Sequence, residues 1–376
     1  MCEAYNLTPG QLKAMRAIAA CRTAALGGHM DSCTGCGFAR PAYNSCRNRS
    51  CPKCQALSQA VWVEQRMARV LPVHYFHVVF TMPSELRELA RHNPRQLFGI
   101  LFRAAAETIL ELGLDPARLG GLMGVTAVLH TWTRQLTYHP HVHCVVTGGA
   151  LSADRTRWIP AHRRFLFPVK VMGALFRGKF LDALKRGRGR GELAVSGACS
   201  ELASVRSWVR LLDQLYRTSW VVYAKRPFAG AEHVYRYLGR YTHRIAISDH
   251  RLTAVTDEEI RFATKNGKVK SIAPVEFLRR FFQHVLPAGF VKIRHYGLMA
   301  ASHATTTLEV ARRLLDPEPA SEDRDEPGLS WRERYRQLTG RDLRVCRQCR
   351  RPSLVHSPLA LGPVFTSEDP GFLDSS

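Results

Sequence analysis

Tyr138-His139-Pro140-His141-Val142-His143-Cys144-Val145-Val146 is the stretch on which the reading of this chain turns. On a strand, successive side chains point to opposite faces. His139, His141 and His143 therefore share one face, while Val142, Cys144 and Val146 share the other. Strand formers flank the histidines, and Gly148-Gly149 stops the run. A lone imidazole on an apolar strand is ordinarily structural, but three in register are hard to place as core packing. Imidazoles at i and i+2 on a rigid strand can hold one divalent cation and leave coordination positions open.

The neighbouring segments predict the sheet that carries this strand. Leu122–Trp132 reads as a second strand, and the short polar connection between the two makes an antiparallel hairpin. Upstream, the apolar run Tyr75–Met82 reads as a buried strand stopped by Pro83. Residues 95–113 carry helical periodicity through Leu97, Ile100, Leu101, Ala104, Ile109 and Leu112. Residues 150–230 read as an insertion with helices at about 169–185 and 200–216 and a strand at Trp220–Ala224. Between those helices, Lys185-Arg186-Gly187-Arg188-Gly189-Arg190-Gly191 is expected as a flexible basic loop, either a solvated linker or a phosphate contact. A β-meander turning at Asn266-Gly267 follows, then helices near 274–286 and 303–316. The acidic stretch 317–328 reads as a linker, and disorder is expected after about residue 355.

A helix over 231–241 is expected to carry Tyr235-Arg236-Tyr237-Leu238-Gly239-Arg240-Tyr241. Tyr237 and Tyr241, four residues apart, share a helix face, and Arg236 and Arg240 repeat the spacing on the next stripe. Alone, this pattern is an amphipathic helix with a packed tyrosine pair. Beside a metal-binding histidine strand it becomes chemistry. A phenol oxygen can attack a metal-polarised phosphate while arginines offset the developing charge.

Cysteines supply a second metal signal. Cys33-x-x-Cys36 and Cys51-x-x-Cys54 together offer four thiolates, the pattern of a closed structural zinc site. Cys21, His29 and Cys46 are left over for a possible second zinc, and Cys346-x-x-Cys349 stands as a lone half-site. A zinc deaminase would need His-x-Glu upstream of its cysteines. Here that place reads His29-Met30-Asp31, so this reading is rejected.

The chain carries 54 Lys plus Arg against 31 Asp plus Glu among 376 residues, a net +23. Such a field recruits polyanions, nucleic acid first among them. No apolar run reaches spanning length and no amphipathic basic helix is evident, which argues against a membrane partner. Eleven cysteines without a secretion signal place the expected compartment in the cytoplasm.

Several motifs then coincide. They are the cysteine segments 21–29 and 44–54, Val128-Leu129-His130-Thr131-Trp132, the histidine strand, Arg240-Tyr241-Thr242-His243-Arg244 through Ser248, Arg280-Phe281 with His284-Val285-Leu286-Pro287, and Arg294-His295-Tyr296-Gly297. Across most of its length the chain resembles the two-tyrosine, HUH-type transposases of rolling-circle bacterial insertion sequences. The resemblance implies an α+β, HUH-nuclease-like fold: a central antiparallel sheet with flanking helices, preceded by a small zinc-binding module. The domains expected are a zinc-binding DNA-recognition module over 1–70, a nuclease domain over 71–316 and a linker and tail over 317–376.

By the same resemblance, His141 and His143 are metal ligands; the family pattern fixes no third ligand, for which His139, His130 and His233 are the candidates. Tyr237 and Tyr241 match the two nucleophiles; from their charge beside these tyrosines, Arg236, Arg240 and Arg244 are expected to contact DNA. The implied reaction is a Mg²⁺- or Mn²⁺-dependent nick in single-stranded DNA, giving a 5′-phosphotyrosine, followed by strand transfer. Ser50 stands where the family pattern expects His, which bears on the second zinc. A plasmid-type replication initiator or relaxase would use the same site, and a DNA-binding protein that has lost catalysis would keep the zinc module.

Overall fold

A computed structural model describes residues 7–67, 69–228, 239, 245–316 and 329–359. They fall into two compact units. One takes the chain up to Val61 together with 245–249 and 329–359, and the other runs from Trp62, resuming at His250. In chain order the strands are β1 (Gly28–Cys33), β2 (Ala39–Tyr43), β3 (Tyr75–Thr81), β4 (Gly121–Leu122), β5 (Gly124–Trp132), β6 (Tyr138–Thr147), β7 (Gly149–Ser152), β8 (Trp158–Pro160), β9 (Val222–Phe228), β10 (Leu252–Val255), β11 (Ile260–Ala263), β12 (Val269–Ile272), β13 (Ile293–Gly297) and β14 (Leu354–Leu359). The helices used below are α1 (Pro9–Ala19), α2 (Ala56–Met67), α3 (Arg87–His92), α4 (Pro94–Leu114), α5 (Val169–Gly189), α6 (Val205–Arg217), α7 (Pro274–Phe282), α8 (Thr307–Leu315) and α9 (Trp331–Thr339).

The larger unit is built on a five-stranded antiparallel sheet of order β13-β5-β6-β3-β9. Strict alternation sorts its two faces. Phe76, Val78, Phe80, Val125, Ala127, Leu129, Val142, Cys144 and Val146 face a core shared with Phe98, Leu101 and Phe102 of α4 and Phe176 and Phe180 of α5. Phe176 sits edge-on to Phe80 and Trp220, with ring centroids 5.0 and 5.2 Å away. Each such side chain contributes about 1.5–3 kcal/mol by leaving water. The opposite face carries Tyr75, Val128 and Val145 against Leu298, Met299, Leu308 and Ala311 at one end, and the histidines at the other.

Turn chemistry fixes the strand ends. A Cβ on Gly148 would lie 2.4 Å from the His74 carbonyl oxygen, and one on Gly149 would lie 2.5 Å from the Trp158 ring nitrogen. Only glycine allows that approach where β6 hands over to β7. Asn266 and Gly267 take φ of 58° and 73°, the left-handed pair of a tight hairpin, between β11 and β12. β10, β11 and β12 form the expected meander.

Three expectations change. Most of the basic stretch 185–191 is no loop: α5 continues through Gly189, and only Arg190 and Gly191 turn out of it. Leu184 and Gly187 are buried, Arg186 pairs with Asp182 one turn back, and the Arg188 guanidinium lies 4.9 Å over the Trp208 ring on α6. Tertiary packing thus overrides the low helix propensity of glycine. The stretch expected as an insertion ends in β9, an edge strand of the central sheet paired with β3. Residues 354–359 are not disordered but form β14, antiparallel to β1.

The smaller unit holds α1, capped reciprocally by Thr8 and Gln11, a sheet of order β14-β1-β2, and α9, capped by Ser330 and Glu333. Of the segment expected as a separate linker and tail, residues 329–359 supply a strand and a helix to this unit, while the linker 317–328 and the tail after 359 lie outside the described residues. Its buried apolar side chains, among the described residues, are Ala14, Ile245, Ala246, Ile247, Cys21, Cys33, Cys51 and Cys346. Half of that core is sulfur. No helix among the described residues is long and apolar enough to cross a membrane.

Candidate functional site

The ring nitrogens of His130, His141 and His143 converge to within 4.8 Å of one another on one face of the central sheet. β6 supplies two of them at i and i+2. β5 supplies the third, because its register places His130 directly opposite His141. His143 is buried, and its Nε2 has no hydrogen-bond partner among the described residues. A buried ring nitrogen without a hydrogen-bond partner, on a histidine grouped with two others, suits a metal ligand.

Outer contacts set the tautomers. The Nδ1–H of His141 donates to the His139 carbonyl at 2.6 Å, leaving its Nε2 lone pair for a cation. His143 Nδ1 lies 2.7 Å from His77 Nε2, with the two rings stacked. If His143 donates there, its Nε2 is likewise an acceptor. Burial keeps these imidazoles neutral: it pushes His141 and His77 down to about 4 and His130 and His143 well below the usual histidine range. Nearby positive charge acts in the same direction, from Lys225 on His77 and from the other histidines and Lys292 on His130. Neutral imidazoles are the form that binds metal.

The third member is thus His130, not His139. The His139 ring is half-buried, 5.3 Å from that of His141, and outside the cluster. His233, Tyr237, Tyr241, Arg236, Arg240 and Arg244 lie outside the described residues. His77 was missed, since one histidine in an apolar strand looks structural. Its signal was its place on the same face as the cluster. His284, buried between Thr131 Oγ1 at 3.2 Å and the Leu136 carbonyl at 3.4 Å, does play such a structural part.

The cysteines sort differently from their spacing. Cys21, Cys46, Cys51 and Cys54 form one group, and Cys33, Cys36, Cys346 and Cys349 another, each with all ligand atoms within 4.8 Å. Cys33/Cys36 do not join Cys51/Cys54, and Cys346/Cys349 is not a lone half-site. The reason is the sheet: β14 pairs with β1 and brings the Cys346 turn to Cys33. Position 50 joins neither group; Ser50 is buried and its amide donates to Asn48 Oδ1. His29 stands apart from Cys21 and Cys46, its Nε2 3.1 Å from Asp31 Oδ1, which His356 also meets at 2.8 Å.

Neighbouring sulfurs stand 3.6 Å (Cys33–Cys349), 3.8 Å (Cys36–Cys346) and 3.7 Å (Cys46–Cys54) apart. A tetrahedron of Zn–S bonds of ~2.3 Å has edges of roughly 3.8 Å, whereas a disulfide needs about 2.05 Å. The donor sets fit zinc. The Ser353 hydroxyl, 3.0 Å from the Cys33 sulfur, and the Gly35 amide hold that thiol down to about 6, towards the thiolate that zinc binds.

Residues 124–306 match the family described as "Putative transposase", and residues 1–82 match "Transposase zinc-binding domain". The chain is 43% identical over 364 residues to "Putative transposase y4qJ" of Sinorhizobium fredii, covering 94% of this chain and 92% of that one. It is 27% identical over 312 residues to the "Transposase for insertion sequence element IS801" of Pseudomonas savastanoi pv. phaseolicola, covering 80% and 74%. No solved structure matches.

Proposed function

This chain belongs to the transposases of the IS91/IS801 type, and on that premise we propose that it nicks and transfers single-stranded DNA through a tyrosine, at the histidine cluster of its central sheet. The observation that carries the reading is the neutral trio His130, His141 and His143, two of them buried and His141 half-buried, with a His143 Nε2 that has no hydrogen-bond partner among the described residues. On this reading the sheet is the HUH-type platform, with His141 and His143 as the pair and His130 as third ligand.

A divalent cation held by the trio would withdraw charge from a scissile phosphate. Of magnesium and manganese, the two ions the resemblance implies, manganese has the greater affinity for nitrogen donors. The chain's own residues do the rest. A phenol oxygen of Tyr237 or Tyr241 attacks phosphorus, the P–O3′ bond breaks, and the departing oxygen takes a proton to become a free 3′-hydroxyl. The 5′-phosphate stays on the tyrosine, so its bond energy is kept for rejoining. Two tyrosines permit two successive transfers, as rolling-circle transposition requires. His77 and the His139 carbonyl orient the ligating rings. The +23 charge draws in the polyanion, so binding weakens steeply with salt.

The test is a cleavage assay on labelled single-stranded DNA from the element's ends, with Mn²⁺ or Mg²⁺, scored by a denaturant-resistant protein–DNA adduct. Wild type forms the adduct, the Tyr237→Phe/Tyr241→Phe double variant does not, and the single variants rank the nucleophiles. Folded, DNA-binding wild type that yields no adduct on its natural ends overturns the reading in favour of a binding protein without catalysis.

A further inference from the structure

The four-cysteine group that joins residues 33–36 to residues 346–349 lies half outside the segment that matches the zinc-binding domain, residues 1–82. We propose that it is a second zinc site, distinct from the Cys21/Cys46/Cys51/Cys54 site, and that its ion staples the C-terminal segment into the N-terminal module.

The two half-sites are the same turn built twice. After Cys33, the Cys33 amide donates to the Phe38 carbonyl at 2.7 Å, and the Gly37 amide donates back to the Cys33 carbonyl at 3.1 Å. After Cys346, the Cys346 amide donates to the Arg351 carbonyl at 2.8 Å, and the Arg350 amide to the Cys346 carbonyl at 2.9 Å. Both turns place the residue after the second cysteine in the left-handed region, Gly37 at φ 71° and Arg350 at φ 59°. For arginine that conformation costs about 1 kcal/mol, and it persists only where the surroundings hold it. Facing each other, the knuckles set Cys33 against Cys349 at 3.6 Å and Cys36 against Cys346 at 3.8 Å, the edges of a thiolate tetrahedron. Four thiolates and no open position make this a structural site, and zinc is the ion that closed sites of this kind take.

The consequence concerns assembly. The ligands are separated by 310 or more residues, yet ring closure costs only logarithmically with loop length, so an ion can join them. With half of its buried apolar side chains being cysteines, the module lacks the core to hold β14 and the Cys346 turn without the metal. The module is therefore complete only once the segment 346–359 has joined it.

The experiment uses the full chain and reads metal, not DNA cleavage, so its outcome is separate from the fate of the strand-transfer reading. Because the histidine trio can also take up zinc, the decisive probe is the thiolate-to-metal charge-transfer absorbance of the Co²⁺-substituted protein, alongside total zinc per chain. The Cys346→Ser/Cys349→Ser variant is expected to lose one zinc and half of that absorbance, and to become protease-sensitive within residues 329–359. Cys46→Ser/Cys54→Ser is expected to lose the other half, and Cys349→His, which keeps a zinc ligand, to retain both ions. An unchanged zinc count and absorbance in Cys346→Ser/Cys349→Ser, or a wild type with a single thiolate site, overturns the proposal.

Discussion

The histidine face of the central sheet and the cysteine module both gather metal-binding side chains, but by opposite routes. On the sheet, His141 and His143 come from one strand and His130 from its hairpin partner. The hydrogen-bonded ladder and the apolar layer beneath them fix their positions before any ion arrives. In the module, short strands and turns carry ligands from opposite ends of the chain, and the sulfurs are themselves much of the core. Where the fold builds the site, as on the sheet, an ion would arrive at a prepared face and, on the proposed function, serve as a reagent; where the site builds the fold, metal is structure.

That contrast is breakable. Stripping thiolate-bound metal with a strong chelator should cost the module the apparent ~10–16 kcal/mol that structural zinc supplies, and unfold it. Hydrogen exchange should show lost protection in β1, β2 and β14 but not in β5 and β6. Equal loss in both regions would abolish the distinction. Phe176→Ala should do the converse, destabilising the sheet unit by about 3–5 kcal/mol, as read by its thermal transition, with thiolate-bound zinc unchanged.

Acid sharpens the difference more gently. In the metal-free protein His141 is held neutral down to about 4, while the unfolded chain takes up its proton near the ordinary histidine value of about 6.5. Stability of the sheet unit is therefore flat above about pH 6.5 and falls as pH drops from there towards 4, by roughly 3 kcal/mol for His141 alone. A denaturant midpoint independent of pH over that window would show that the face is wetter than its burial implies. The smallest expected effect is that of His77→Gln. It should weaken Mn²⁺ affinity by about 10–100-fold, as outer-shell partners of metal ligands do, and leave the module's zinc untouched.

Much of this architecture was legible in the residues. The alternation of Tyr138–Thr147, the turn signal at Asn266-Gly267 and the helical period of 95–113 are local patterns, and the structure has a strand, a hairpin and a helix in those places. The antiparallel hairpin between β5 and β6 followed from the shortness of its connection. The basic stretch 185–191 was misread because its glycines and arginines speak for a loop, whereas Asp182 and Trp208 hold it as helix. The partition of the cysteines was hidden more deeply. Cys33-x-x-Cys36 and Cys51-x-x-Cys54 look like a set because they are near in sequence, but a knuckle carries no label naming its partner.

The sequence by itself determined most of the elements, though not the end of α5 or β14, and with them the two kinds of metal donor, the strong positive charge and, through its motifs, the family. Only the tertiary structure decided that His130 rather than His139 completes the trio, that His77 backs His143, and that Cys346 and Cys349 close on Cys33 and Cys36. The reason is geometric. Periodicity along a chain states which side of an element a residue occupies, while strand order and register decide what arrives on the other side.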